Sequence, residues 1–209
     1  IHSKPYWTEV PGKAYGPVTT PLKVDVAIIG GGISGLMAAY RLQKDGASVV
    51  VLERDRIASG DSGRTTAHLT YKTDATLKEL TKRFGADHAA AIWDGGAAAL
   101  EVLHETIHAE AIDCHFRWVT GYYHAPVDGG TDEAELRTEA EAARNIGFDA
   151  TFLDRVPFVD RPGVAFPRQA QFHQDRGRLG NGGPQRIVHT RPASSDSGTA
   201  SMRASSSEG

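Results

Sequence analysis

Cysteine is nearly missing from this sequence: Cys114 is the one thiol in 209 residues. A single cysteine excludes an intramolecular disulfide and suits a reducing compartment. Long apolar runs are missing too. No stretch approaches the roughly 20 residues that a membrane-spanning helix needs, and the first residues lack the basic-then-apolar order of a secretion signal. Nor is there an excess of basic charge, since 23 Lys and Arg against 26 Asp and Glu leave a net charge of -3. Attraction to nucleic acid or to an anionic membrane is therefore not indicated. These absences lead to the expectation of a cytoplasmic protein that engages neither nucleic acid nor membrane. Methionine is absent from the first position, which is Ile1, and this points to a piece of a longer reading frame.

With 40% hydrophobic residues, the chain is long enough for one globular domain or slightly more. Its most informative stretch runs from Val24 to Arg54, VDVAIIGGGISGLMAAYRLQKDGASVVVLER. Val24, Val26, Ala27, Ile28 and Ile29 form the apolar, largely β-branched run expected of a strand covered on both faces in a parallel sheet. Gly30, Gly32 and Gly35 follow as G-x-G-x-x-G. In such a turn the first glycine allows the sharp exit from the strand, the second lets backbone approach a pyrophosphate, and the third permits close helix–strand packing.

The pattern predicts a helix from about Ile33 to Lys44, stopped by Gly46. Its N-terminus carries backbone N–H groups and the positive end of the macrodipole, which favour a diphosphate. Ser48 to Leu52 supply a second strand, ended by Glu53, where a carboxylate can accept hydrogen bonds from a ribose diol. An acid there would repel a ribose phosphate, so FAD or NAD is favoured over NADP. A glycine turn alone can serve packing. Here strand, turn, helix, strand and acid agree in order and spacing, which favours a bound dinucleotide.

Before this unit, residues 1 to 22 contain Pro5, Pro11, Pro17 and Pro21 and read as an extended arm, with Tyr6, Trp7 and Tyr15 packing it down. After it, Arg54 to Thr70 is a polar loop with hydroxyls at Ser59, Ser62, Thr65 and Thr66, glycines at Gly60 and Gly63, and Arg64 as a fixed charge. It reads equally as a ligand-facing loop and as a solvated surface.

Further on, the pattern predicts a helix over Asp74 to Phe84 capped by Asp74, and a longer one over Ala86 to Ala111. In the second, Gly95 and Gly96 imply close contact with a neighbour. Ile112 to Ala125 reads as two strands about Gly121. Thr131 to Asn145 reads as a charged helix capped by Thr131 or Asp132, and a short strand is expected near Ala150 to Leu153. Pro157, Pro162 and Pro167 are expected to break regular structure, and QAQFH closes the globular part at His173. Residues 174 to 209 are rich in Gly, Ser and Arg with few large apolar residues, so they are expected to be disordered. The abruptness of this change points to loss of the natural reading frame near His173.

A competing motif is HETIH at His104 to His108, matching the H-E-x-x-H in which two histidines hold zinc and the glutamate, here Glu105, activates water. Three features count against it. The two histidines sit at the edge of the apolar stripe, Glu110 adds a charge, and no third ligand falls at the required spacing, since Cys114 and Ala111 occupy the positions of its histidine and glycine. Cys114 reads as a buried, inert thiol.

Taken together, the glycine turn, Glu53, GRTTAHLT at Gly63 to Thr70, the IDC and GYY elements and QAQFH make residues 5 to 173 resemble the FAD-dependent oxidoreductases of the D-amino acid oxidase and glycine oxidase type. The branch they resemble most is one often fused to a C-terminal Rieske domain. That resemblance implies an α/β fold with a Rossmann-like FAD-binding domain and part of a second α+β substrate domain, truncated within 23–173. It implies that Gly30, Gly32, Ile33, Ser34 and Gly35 hold the FAD diphosphate, and that Glu53 and Arg54 hold the adenosine ribose end. Ser62, Arg64, Thr65 and Thr66 would line the diphosphate and lead towards the isoalloxazine.

The implied reaction is oxidation of a C–N bond in a small amine or amino acid by hydride transfer to flavin, with an unassigned electron acceptor and no obligatory catalytic acid or base in this stretch. A Rieske cluster needs two Cys and two His, which one cysteine cannot supply. Three alternatives stay open: a catalytically silent nucleotide-binding fragment, an NAD-dependent dehydrogenase, and a zinc hydrolase at His104, Glu105 and His108.

Overall fold

The computed structural model describes residues 15–126, 133–172 and 187–189. Tyr6, Trp7, the Thr131 or Asp132 cap, His173 and most of the C-terminal tail lie outside the described residues. Those described fall into two compact units, one of 15–60 with 187–189 and one of 61–172.

The first unit is built on a β–α–β succession. Strand β1 (Val26–Ile29), helix α1 (Ile33–Lys44) and strand β2 (Val49–Glu53) follow the apolar pattern closely. β1 and β2 pair in parallel, with Val26 opposite Val49 and Ile29 opposite Leu52. Helix α1 covers one face, where Ala39, Val49 and Val51 form a small core joined by Val26, Ile28 and Leu42. The other face of β1 is not covered as expected. Its burial alternates, and Ile29 is 78% exposed, because among the described residues β1 has a strand on one edge and a helix on one face.

The strand entrances are clamped by Asp25, whose carboxylate accepts from the Ser48 backbone N–H at 2.8 Å and its hydroxyl at 2.6 Å. Gly46 ends the helix in a left-handed conformation (φ 91°), and the Ala47 N–H returns to the Leu42 carbonyl at 3.0 Å, as a C-terminal glycine stop requires. A third strand, Ile187–His189, lies parallel to β2 with Val51 opposite Ile187. This corrects the expectation of a tail without structure for these three residues. They hold an adjacent β-branched pair within the Gly/Ser-rich segment, and the open edge of β2 supplies their hydrogen-bonding partner.

The second unit is an antiparallel sheet faced by helices. Its strands are β3 (His68–Leu69), β4 (Arg117–His124), β5 (Thr151–Leu153) and β6 (Gly163–Gln171), with β6 pairing all three others. Helices α2 (Leu77–Phe84), α3 (Ala86–Ala109) and α4 (Glu133–Asn145) supply the rest of the core. Its centre is Trp93, fully buried, with its ring 5.6 Å from Tyr71, 5.3 Å from Phe148 and 5.6 Å from Phe166.

Several sequence expectations change here. Helix α2 is capped by Thr76 rather than Asp74. The Thr76 hydroxyl accepts from the Glu79 N–H while the Glu79 carboxylate accepts from the Thr76 N–H, a reciprocal capping box. A carboxylate from α4, Glu139, is buried and accepts from the Leu77 N–H at 3.1 and 3.0 Å. Burial pushes its pKa up, against the pull of that N–H and of Lys72. The stretch expected as two strands is one strand, β4, with an irregularity between Val119 and Gly121. Gly121 is no turn there, because a side chain at that position would run into Gln169. Pro167 does not break β6 either. It sits with Arg168, which has φ 61°, opposite that irregularity, where no ladder N–H is needed. Gly96 does mark a close approach, since a Cβ there would lie 3.1 Å from the Cα and Cβ of Tyr71, whereas Gly95 has open space.

Candidate nucleotide-binding site

The turn between β1 and α1 has the shape that its glycines dictate. Gly30 leaves the strand at φ 104°, a conformation side chains rarely adopt, and its N–H donates to the Leu52 carbonyl at 2.8 Å. Gly35 sits so close to the turn that a Cβ would collide with the Gly30 carbonyl oxygen and meet Ile28 Cγ2 at 3.4 Å. Gly32 is the helix N-cap, at an ordinary φ of -78°. No side chain caps the helix at this residue, and no acid lies in the first turn, which contains Ile33, Ser34 and Gly35. A helix end without an acidic cap is a place where an anion is favoured.

Glu53 closes the site at the C-terminal end of β2. Its Oε2 accepts from the Gly31 N–H at 2.6 Å and its Oε1 from the Asp55 N–H at 2.8 Å. The carboxylate is thereby fixed in place at the edge of the turn. Gly31 was not singled out by the sequence, yet its N–H aims Glu53, and a Cβ there would strike the Ile57 side chain and approach Glu53 Oε2 to 3.1 Å. The available signal was the third glycine in the GGG run. The Gly31 carbonyl also accepts from the Ala58 N–H at 3.0 Å, folding the segment after β2 back onto the turn. A turn without side chains, a helix end without acid and a fixed carboxylate fit the diphosphate and ribose of a dinucleotide.

The Glu53 environment leads to a pH prediction. Burial raises its pKa, but the N–H groups of Asp55, Gly31 and Arg54 and the Arg54 charge outweigh burial, so the net shift is downward. A carboxyl depressed in the folded state contributes stability that is present above its unfolded pKa and lost as pH falls through the folded value. The urea midpoint is expected to fall on acidification below the ordinary glutamate range, less steeply in Glu53→Gln. Equal acid-side slopes in parent and variant would contradict this role for the carboxylate.

The predicted site residues divide between the two units. Gly30, Gly32, Ile33, Ser34, Gly35 and Glu53 come together around the turn, with exposed Arg54 following β2 in the same unit. Ser62, Arg64, Thr65 and Thr66 belong to the other unit. Ser62 lies in a 3-10 turn, Asp61–Gly63, and the Arg64 N–H donates to the Asp61 carbonyl at 3.0 Å. The Thr65 hydroxyl accepts from the Ala67 N–H at 3.1 Å, and the Thr66 carbonyl lies 3.1 Å from His68 Nδ1.

The HETIH residues lie near the end of α3. The His104 ring packs 5.0 Å from Phe116 and 5.2 Å from Trp118, while Glu105 and His108 are exposed. A cavity of about 450 Å³ beside them is lined by His104, His108, Asp113 and Phe116 among others. Among the described residues no three His, Cys, Asp or Glu side chains converge as a metal site. Cys114 is buried, and burial pushes its thiol pKa up, away from the reactive range. No helix among the described residues is long and apolar enough to cross a membrane.

Comparison with known proteins agrees with this geometry. The profile of the DAO family, FAD dependent oxidoreductase, matches residues 25–177. The Rieske 2Fe-2S protein candidate YhfW of Bacillus subtilis is 28% identical over 173 residues, covering 80% of this chain and 33% of YhfW. The gamma-glutamylputrescine oxidoreductase of Escherichia coli is 33% identical over 123 residues, covering 56% of this chain and 28% of that enzyme. Among solved structures, glycine oxidase from Bacillus cereus has a TM-score of 0.52 at 20% identity, covering 80% of this chain and 46% of the oxidase chain. This chain thus spans about a third of the curated relatives it matches and about half of that structure. The profile match over most of the chain, together with a glycine turn and fixed carboxylate suited to a dinucleotide, establishes that this chain belongs to the DAO family of FAD-dependent oxidoreductases.

Proposed function

We propose that this chain supplies the FAD-holding part of an oxidoreductase that acts on the C–N bond of a small amine or amino acid. The observation that carries the reading is the fixing of Glu53 by the N–H groups of Gly31 and Asp55 beside a turn that excludes side chains. In this reading Gly30, Gly32, Ile33, Ser34 and Gly35 bind the diphosphate, Glu53 takes the ribose hydroxyls, and Arg54 flanks the adenosine end. Ser62, Arg64, Thr65 and Thr66 present hydroxyl and guanidinium donors to the remainder of the cofactor. When bound there, the flavin would supply the hydride-accepting chemistry, and these residues would contribute orientation and electrostatics.

Support for the amine or amino-acid class comes from the relatives, one a gamma-glutamylputrescine oxidoreductase and one a glycine oxidase. The single, buried thiol supports a reducing compartment, and we place the protein in the cytoplasm. The substrate class is tested in the FAD-loaded protein by anaerobic mixing with amines, amino acids and 2-hydroxy acids. Bleaching of the oxidised flavin band by an amine or amino acid is the expected result. Bleaching by hydroxy acids alone would overturn the C–N assignment.

A further inference from the structure

One buried acid of the second unit has no part in the site described above. Glu139 on α4 is 3% exposed, and a carboxyl so far from water needs several donors to hold its charge without cost. Among the described residues its one hydrogen-bond donor is the Leu77 N–H, shared between Oε1 at 3.1 Å and Oε2 at 3.0 Å. Leu77 is the first residue of α2, so its N–H is one of those that a helix start leaves without an internal partner. The capping box serves the N–H groups of Thr76 and Glu79 and leaves that of Leu77 to a side chain from another helix. Glu139 is thus a tie from α4 to the start of α2.

The charges around Glu139 pull in opposite directions. From the segment before α2, Lys72 faces it, with Nζ 3.8 Å over the Tyr123 ring of β4. Glu79 on α2 repels it. Burial lowers the Lys72 pKa, against the pull of Glu139, Asp74 and Glu79. Tyr123 is held as a neutral phenol, since burial first, then Glu139, Glu79 and Glu135 of α4, push its pKa up. β5 carries no ionisable side chain, and the one charge on β6, Arg168, is paired with Glu101. For Glu139 burial outweighs the Leu77 N–H and Lys72, so its charged form is the costly one.

We propose that Glu139 is a proton-operated latch on α2: uncharged, it stays buried against the Leu77 N–H, and charged, it draws towards water and releases the first turn of the helix. The sign follows from linkage. A carboxyl that holds its proton more tightly in the closed form contributes stability that is fully present below the open-form pKa and is lost as pH rises through the closed-form value. Each pH unit across that window multiplies the opening constant by about tenfold. The segment from Asp61 to Thr76, which carries Ser62, Arg64, Thr65 and Thr66, ends at the released turn. The latch therefore sets how firmly those donors are held, a consequence that rests on the cofactor reading above, whereas the latch itself does not.

The test uses the isotopically labelled full chain without flavin, between about pH 4 and 8. It follows the Glu139 Cδ resonance together with exchange protection of the Leu77 N–H, corrected for the intrinsic pH dependence of exchange. Glu139 is expected to titrate above the exposed glutamates, and Leu77 protection to fall by about tenfold per pH unit through the same interval. Glu139→Gln keeps an acceptor for Leu77 but has no proton to lose, so its protection should stay level with pH. A purely structural tie would give parent and variant the same level profile. Lys72→Met removes the cation that favours the charged form and should move both transitions to higher pH, and this shift decides alone if the Gln variant does not fold. Level Leu77 protection in the parent, a pH-dependent loss that persists in Glu139→Gln, or a Lys72→Met transition at lower pH would overturn the proposal. Because no flavin enters, its failure leaves the cofactor reading standing, and a chain that titrates as expected but retains no FAD keeps the latch and sinks that reading.

Discussion

Replacing Trp93 by alanine is expected to remove about 3–5 kcal/mol from the stability of the 61–172 unit, the usual cost of emptying a fully buried large aromatic site. Trp93 is 0% exposed and touches the rings of Tyr71, Phe148 and Phe166, which come from three separate segments of the unit. Its deletion would leave those rings facing a void that they cannot fill without moving the sheet off the helices. The indole also carries a complication. Among the described residues Trp93 Nε1 is buried without an acceptor, and such a group costs about 1–3 kcal/mol. Trp93→Phe keeps most of the ring and deletes the orphaned N–H, so it is expected to be clearly less destabilising than alanine. Urea unfolding followed by near-ultraviolet circular dichroism measures both variants. A Trp93→Ala chain with the parent's midpoint would show that this side chain does not organise the core.

What the sequence made legible was whatever its own short-range pattern determines. Helix α1 matches its expected bounds, Ile33 to Lys44, because a glycine turn starts it, a helical apolar period runs through it and Gly46 stops it. Glu53 was placed at the end of β2 by spacing alone. The Thr76 cap was legible in principle, since Thr76 and Glu79 form the T-x-x-E signature, but Asp74 was the nearer cap residue to the eye. Other features depend on partners far along the chain. Gly121 looked like a hairpin turn because its neighbours are apolar on both sides, and its real constraint is the Gln169 side chain on another strand. Pro167 is tolerated within β6 through an irregularity in β4. The pairing of Ile187 with Val51 spans more of the chain still. The register that sets His68 and Arg117 opposite Gln171 was invisible for the same reason, being fixed by pairing between strands that no local window contains.

The second large effect is expected at Gly35. Alanine there adds a Cβ that collides with the Gly30 carbonyl oxygen, a backbone atom held by the turn. It cannot swing aside as a side chain could. Relief requires α1 to move away from β1, and overpacking of this kind costs about 1–3 kcal/mol or more. The same displacement pulls the helix N-terminus and the Gly31 N–H away from Glu53. At the upper end this corresponds to a loss of roughly a hundredfold in cofactor affinity. Gly35→Ala is therefore expected to elute without flavin under conditions in which the parent retains it.

That comparison depends on the parent, whose absorption spectrum after incubation with FAD and gel filtration tests the central claim most directly. The account predicts oxidised flavin bands travelling with the protein in stoichiometric amount. Elution of all the flavin at low molecular mass, with the chain folded and colourless, would contradict it.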